Sequence, residues 1–302
     1  MDLKISRKRK PTISIIITSD NDCERLKQCL NSFFLLDTKI KNIEFIIINN
    51  YSKNKILMKS IQDYVSTLTK YNVIYYQTLQ RLTTSQIKNL SLDFQRGYWL
   101  FFVDYYEVAT HKFIEFLKKF KFDINKDFYR LPILNEERKK IKMGWLWKSK
   151  FFCTAPSTII FNQEYIEKYN IRWENEINYE DTLNILSKIY STKNVNYINL
   201  PKQYSVIRNF YTYKKQHMFS SVQDIYKTYE VLMDNKEKNY KQFIIILFFN
   251  YLKEIQNIKE YKQIYKEIKQ IMKKSKIYHY HYFFLGFSMY FKTLIFKWRM
   301  TF

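Results

Sequence analysis

Between residues 11 and 110 short apolar runs take turns with amphipathic stretches. Ile13-Ser14-Ile15-Ile16-Ile17-Thr18 is mostly β-branched and reads as a strand. After the polar turn Ser19-Asp20-Asn21-Asp22, the residues Leu26, Cys29, Leu30 and Phe33 fall at i, i+3, i+4 and i+7, one buried helix face. Ile43 to Ile48 is a second strand, ending at Asn49-Asn50-Tyr51-Ser52, and 53–69 reads as a helix. Asn72 to Tyr76 is a third strand, and 83–95 a helix that Gly97 is expected to end as a C-cap. Tyr98-Trp99-Leu100-Phe101-Phe102-Val103 then runs without a polar break into Asp104-Tyr105-Tyr106-Glu107.

A wholly apolar strand fits a position buried on both faces, as in a parallel sheet covered by helices. Repeated strand–helix order predicts the same α/β sheet, and right-handed crossovers bring every strand's carboxyl end to one edge. Three loops therefore converge there: 18–22, 49–54 and 104–107. Ligands of open α/β sheets bind at that edge, and an acidic cluster there has the chemistry to hold a divalent cation and, through it, a diphosphate.

Past residue 110 the pattern loosens. Residues 111–121 read as a helix, and 136–152 are basic and aromatic around Gly144-Trp145-Leu146-Trp147. Ser157 to Phe161 reads as a short strand, 163–169 and 179–191 as helices, and Val195 to Leu200 and Tyr204 to Ile207 as short strands flanking Pro201. From about 211 onward the chain reads as helical and basic. The expected organisation is a domain over 1–210, whose pattern changes near residue 110, and then a basic all-helical C-terminal region over 211–302.

Charge sharpens the picture more than composition does. Of 302 residues, 27 are Tyr and 25 Phe, an excess that an AT-rich genome produces, so single Tyr or Lys residues carry little weight. A formal net charge of +23 points to an anionic partner: nucleic acid, lipid headgroups or nucleotide phosphates. Cys23, Cys29 and Cys153 form no C-x-x-C pair and, with four scattered His, no zinc-ligand spacing, which argues for a reducing compartment and against a structural zinc. The basic stretch Lys4 to Lys10 is followed by a strand rather than a signal peptide's apolar core.

The order and spacing of these segments resemble the family 2 glycosyltransferases, which have the GT-A fold. Pro11-Thr12-Ile13-Ser14-Ile15-Ile16-Ile17, then Asn21, Leu26 and Cys29-Leu30-Asn31-Ser32, match the family's opening strand and helix. Lys88-Asn89 with Leu92 and Gly97 matches its R-N-x-G-L-x-x-A-x-G segment, and the strand over 98–103 precedes the slot of its DxD motif. Tyr179-Glu180-Asp181 resembles the E-D pair carrying the catalytic base, and Pro201, Tyr204 and Arg208 loosely match the segment after it. The likeness covers about 11–210 and implies a GT-A-like, mostly parallel sheet sandwiched by helices, with a nucleotide-binding half over 11–110 and an acceptor half over 111–210 of the 1–210 domain.

It also implies inverting transfer of a sugar from a nucleotide diphosphate, with UDP expected, to a hydroxyl of a glycan or lipid-linked acceptor in surface-polysaccharide assembly. Asp181 would be the general base. Thr18, Asp20, Asn21, Asn49, Asn50, Ser52, Lys88, Asp104 and Arg208 would contact the donor, and Trp145, Trp147 and Glu180 the acceptor. Two departures stand out. The family's uracil-reading Asp falls among Asn49 and Asn50, and the DxD slot reads Asp104-Tyr105-Tyr106. Three readings of that slot stay open: Mn2+ or Mg2+ held by Asp104 and Glu107, a metal-independent site using Lys and Arg, or a site that has lost activity and serves a partner subunit. The basic, aromatic segment Tyr278 to Trp298, with Lys273, Lys274, Lys276, Lys292, Lys297 and Arg299 in and beside it, suits an anionic membrane surface on the cytoplasmic face; a helical subdomain or a homo-oligomer interface is the alternative. Nucleic-acid binding is the remote reading, since no recognisable motif accompanies the charge.

Overall fold

The computed structural model describes residues 11–34, 42–134, 158–173, 195–208 and 258–274. By its internal contacts the chain divides into two units, Met1–Gln216 and His217–Phe302.

In the first unit β1 (Ile13–Ser19), α1 (Cys23–Phe34), β2 (Ile43–Asn49), α2 (Lys55–Ser66), β3 (Val73–Gln77), α3 (Thr84–Phe94) and β4 (Trp99–Asp104) alternate as the sequence predicts. They are followed by β5 (Glu107–Ala109), α4 (His111–Lys119), β6 (Phe128–Arg130), β7 (Ile133–Leu134), β8 (Ile159–Asn162), α5 (Gln163–Lys168), β9 (Tyr197–Asn199) and β10 (Val206–Arg208). A seven-stranded sheet runs β3-β2-β1-β4-β8-β6-β9, and a small one runs β5-β10-β7. The first four strands in sequence are mutually parallel, while β8 returns antiparallel to β4.

Every residue of β1, β2 and β4 is buried, which explains their unbroken apolar runs. Alternate side chains enter two cores. Ile13, Ile15 and Ile17 join Leu26, Cys29, Leu30 and Phe33 of α1 on one face, and Ile16, Ile46 and Phe102 join Ile87, Leu92 and Tyr165 on the other. At the edge, β3 is only half-buried.

The amino-terminal ends of these strands are closed by a buried charge. The Glu44 carboxylate accepts the Ser14 hydroxyl, the Arg96 backbone N–H (2.8 Å) and the Arg96 guanidinium (2.7 Å), and is itself fully buried. Ser14 Oγ in turn accepts the Gly97 N–H at 2.8 Å. Burying a carboxylate is tolerable only when its lone pairs are met in this way.

This corrects the role expected of Gly97. Helix α3 opens with a Thr83–Gln86 capping box but ends at Phe94 on an extended Gln95, and Gly97 does not have a positive φ. Gly97 is needed for space: a Cβ there would lie 2.5 Å from the Ser14 backbone nitrogen and 2.8 Å from the Ile13 carbonyl carbon.

In the second unit α6 (Ile258–Lys274) buries Ile264 and Ile268 and exposes Lys262, Lys266, Lys269 and Lys273. Among the described residues no helix is long and apolar enough to cross a membrane. The segment Tyr278 to Trp298 lies outside them.

Gly97→Ala is expected to lower stability by about 1–3 kcal/mol, the usual cost of forcing an extra carbon into a packed site. A urea titration checks this: the midpoint falls while the slope stays unchanged.

Candidate functional site

Strands β2 and β3 lie on one side of β1 and β4 on the other, so the chain reverses direction across the sheet between β1 and β4. The carboxyl ends flanking that switch point form the crevice where such sheets bind ligands. Thr18 and Asp104 are register partners there, with Thr18 Oγ1 3.5 Å from Asp104 Oδ1. Next to Thr18, Ser19 is 3% exposed and its hydroxyl has no hydrogen-bond partner. A buried polar group without a partner is uncommon.

The loops after β1, β2 and β3 are held by a lattice of side-chain amides. Asn49 Oδ1 accepts the Asn21 backbone N–H at 3.1 Å, and Asn49 Nδ2 donates to Asn21 Oδ1 and to Gln77 Oε1, both at 2.9 Å. Gln77 Nε2 donates to the carbonyls of Asn49 (3.1 Å) and Asn50 (3.2 Å), and Asn21 Nδ2 to the Asn50 carbonyl at 2.9 Å. Asn50 Oδ1 accepts the N–H groups of Leu82 and Tyr51 at 3.0 Å each, while its Nδ2 donates to the Leu82 carbonyl at 3.0 Å. Asn21 has φ 65°, a left-handed turn that Asn tolerates better than most residues.

The expected donor residues thus fall at one edge with different tasks. Asn49 and Asn50, 0% and 5% exposed, shape the loops with the amide atoms expected to face a base. Asp20 lies on the rim, where it pairs with Arg81 at 3.0 Å. Ser52 Oγ accepts the Asn54 N–H at 3.1 Å, and Asn54 caps α2. Lys88 is buried in α3, whose first residue follows the loop after β3. Arg208 is the register partner of Glu107 in the antiparallel β5–β10 pair. Asp181, Glu180, Trp145 and Trp147 lie outside the described residues.

The turn from β4 to β5 departs from expectation. Asp104 Oδ2 accepts the Tyr106 hydroxyl at 2.9 Å. Glu107 is fully buried, and its Oε2 accepts the Asp104 backbone N–H at 3.0 Å. It folds back beneath the turn, toward Cys29 of α1. Burial pushes the Cys29 thiol well above the ordinary range, and the negative charges of Glu107 and then Asp104 push it further. Glu107 is therefore a buried acid bracing the turn, not the outward ligand expected in place of the missing second acid.

Three contributors were not singled out from the sequence. Gln77 ends β3, and Arg81 lies in a fourth loop at the same edge, after β3. Asn89, quoted above only for its motif, grips the segment leading toward Asp181: its Nδ2 donates to the Trp173 carbonyl at 2.7 Å and its Oδ1 accepts the Trp173 N–H at 2.8 Å. A polar residue closing an apolar strand is the signal for Gln77.

No family model and no curated protein sequence matches the chain. Solved structures do. Residues 1–349 of S. aureus TarS in complex with UDP-GlcNAc superpose with a TM-score of 0.66 at 15% identity, covering 86% of this chain and 80% of that one. Against a longer S. aureus TarS structure the TM-score is 0.61 at 14% identity, and the match spans 44% of that chain. The mannosyltransferase PcManGT from Pyrobaculum calidifontis, in complex with GDP-Man and Mn2+, matches with a TM-score of 0.55 at 11% identity over 93% of this chain and 85% of that one. The chain has a glycosyltransferase fold, a mixed α/β sheet flanked by helices as the sequence predicts.

Asn49→Ala removes the partner of both Asn21 groups and of Gln77 Oε1. A loss of about 1–3 kcal/mol is expected for the buried polar groups left unmet, read from a urea unfolding midpoint.

Proposed function

We infer that the chain transfers a sugar from a nucleotide diphosphate, with UDP first in line, to a hydroxyl of a glycan or lipid-linked acceptor. The observation that carries this reading is the pairing of Thr18 and Asp104 at the carboxyl ends of β1 and β4, the topological switch point of the sheet. The solved structures sharing the fold include complexes with UDP-GlcNAc and with GDP-Man, which supports a nucleotide sugar as the ligand.

Transfer with inversion needs three things of the protein. Asp181 takes the proton from the acceptor hydroxyl as its oxygen attacks the anomeric carbon. General-base help of this kind contributes about 10²–10⁴-fold. The bond from that carbon to the diphosphate oxygen breaks, and the electron pair leaves with the nucleoside diphosphate. Lys88 and Arg208 are the cations assigned to meet that charge. Rigid placement of donor and acceptor supplies the rest, and the amide lattice fixes the donor loops for that purpose. Asn89, through Trp173, tethers the strand of chain that leads to the base. Trp145, Trp147 and Glu180 are assigned to the acceptor, the tryptophans offering flat faces for sugar rings.

The PcManGT complex holds Mn2+. The residues of this chain do not fit a cation clasped between Asp104 and Glu107. One Asp104 oxygen accepts a phenol, Glu107 is turned into the core, and among the described residues no three Cys, His, Asp or Glu side chains lie together. No step above passes through a metal.

The cytoplasmic face of a membrane is the setting in which a lipid-linked acceptor and a strongly basic chain come together. The exposed lysines of α6 add to the positive charge that anionic headgroups attract.

A panel of nucleotide sugars tests the reading. One donor is expected to be turned over, and Asp181→Asn is expected to cut kcat by about 10²–10⁴-fold with donor affinity kept. Donor binding without turnover of any acceptor would favour the partner-subunit alternative, and no donor binding would sink both.

A further inference from the structure

The turn from β4 to β5 brings two acids to the crevice, and the fold has already engaged both. Asp104 receives two hydroxyls: Thr18 Oγ1 stands 3.5 Å from Oδ1, and the Tyr106 hydroxyl donates to Oδ2 at 2.9 Å. Tyr106 has little freedom to swing aside. It is 6% exposed, belongs to the same core cluster as Phe101 and Phe113, and meets the Tyr105 ring edge-on with centroids 5.3 Å apart. Glu107 supports the turn from below through the Asp104 N–H and is 0% exposed.

Resting on the nucleotide-sugar reading above, we propose that this site binds its donor's diphosphate without a divalent cation, Tyr106 occupying the place on Asp104 that the cation would take. Mg2+ and Mn2+ are held by hard, charged oxygens, often one or two carboxylates together with the phosphates. Here a second carboxylate is replaced by a phenol, a poorer ligand for a hard cation than a carboxylate. Its proton is directed at the Asp104 oxygen that a cation would need. A cation entering the crevice would have to break that hydrogen bond and displace a packed ring, and among the described residues it would not find three acid, His or Cys side chains together. The diphosphate is instead left to the protein's own positive groups.

Calorimetric titration of UDP and of GDP into the full chain, in EDTA and in saturating manganese, tests the proposal. The Kd of the nucleotide that binds is expected to agree within about threefold between the two conditions, and a loss of more than about tenfold in EDTA would overturn the proposal. Binding of neither nucleotide under either condition would instead overturn the functional reading. The cation question is then decided by manganese electron paramagnetic resonance on the protein alone. The wild-type chain is expected to leave the free-ion spectrum unchanged, and Tyr106→Asp, which restores the second acid, to diminish it. Manganese captured by the wild-type chain and released by Glu107→Gln would contradict the proposal, whether or not Tyr106→Asp folds.

Discussion

Strands β1, β2 and β4 are parallel, adjacent and buried along their whole length. That constraint decides where polar chemistry can go. Helices cover both faces, so hydrophilic side chains are confined to the two ends of the strands. The amino-terminal end is sealed by the fully buried Glu44, met by Ser14 and by Arg96, with Gly97 pressed against β1. The carboxyl end is where the sheet changes direction, the place where such sheets bind ligands.

Most polar groups at that open end build the walls. Asn21, Asn49, Asn50 and Gln77 bind one another and the neighbouring backbone, so loops that the sequence separates by dozens of residues become one rigid rim. Rigidity of this kind is what orienting two reactants requires. The same economy holds in the β4–β5 turn, where Tyr106 and the Asp104 N–H engage the two acids. Thr18 and Asp104, register partners at the switch point, are the polar pair this edge presents.

Much of this was legible in the sequence. β-branched and aromatic runs gave β1, β2 and β4, and the spacing of Leu26, Cys29, Leu30 and Phe33 gave the buried face of α1, because in each case burial alone dictates the pattern. Strand–helix order then placed the crevice. The short strands β5, β6 and β7 left no periodicity to find, since two or three residues are too few to show alternation. The tasks of the polar residues were hidden for a different reason. Asn49 and Glu107 look like ligands in one dimension, because a side chain beside a crevice and one turned beneath it have the same neighbours in sequence. Gly97 misled likewise: its position after a helix suggested a cap, whereas its need is for space against Ser14, a residue far away in the chain.

The central claim is that a nucleotide diphosphate occupies the carboxyl edge of the parallel strands. Hydrogen–deuterium exchange of the full chain with and without UDP and GDP tests it most directly. Slowed exchange confined to 18–22, 49–54, 77–83 and 104–107, with α6 and the Glu44 end unchanged, is the expected result. Protection that misses these loops and falls on α6 or at the amino-terminal ends of the strands would contradict it.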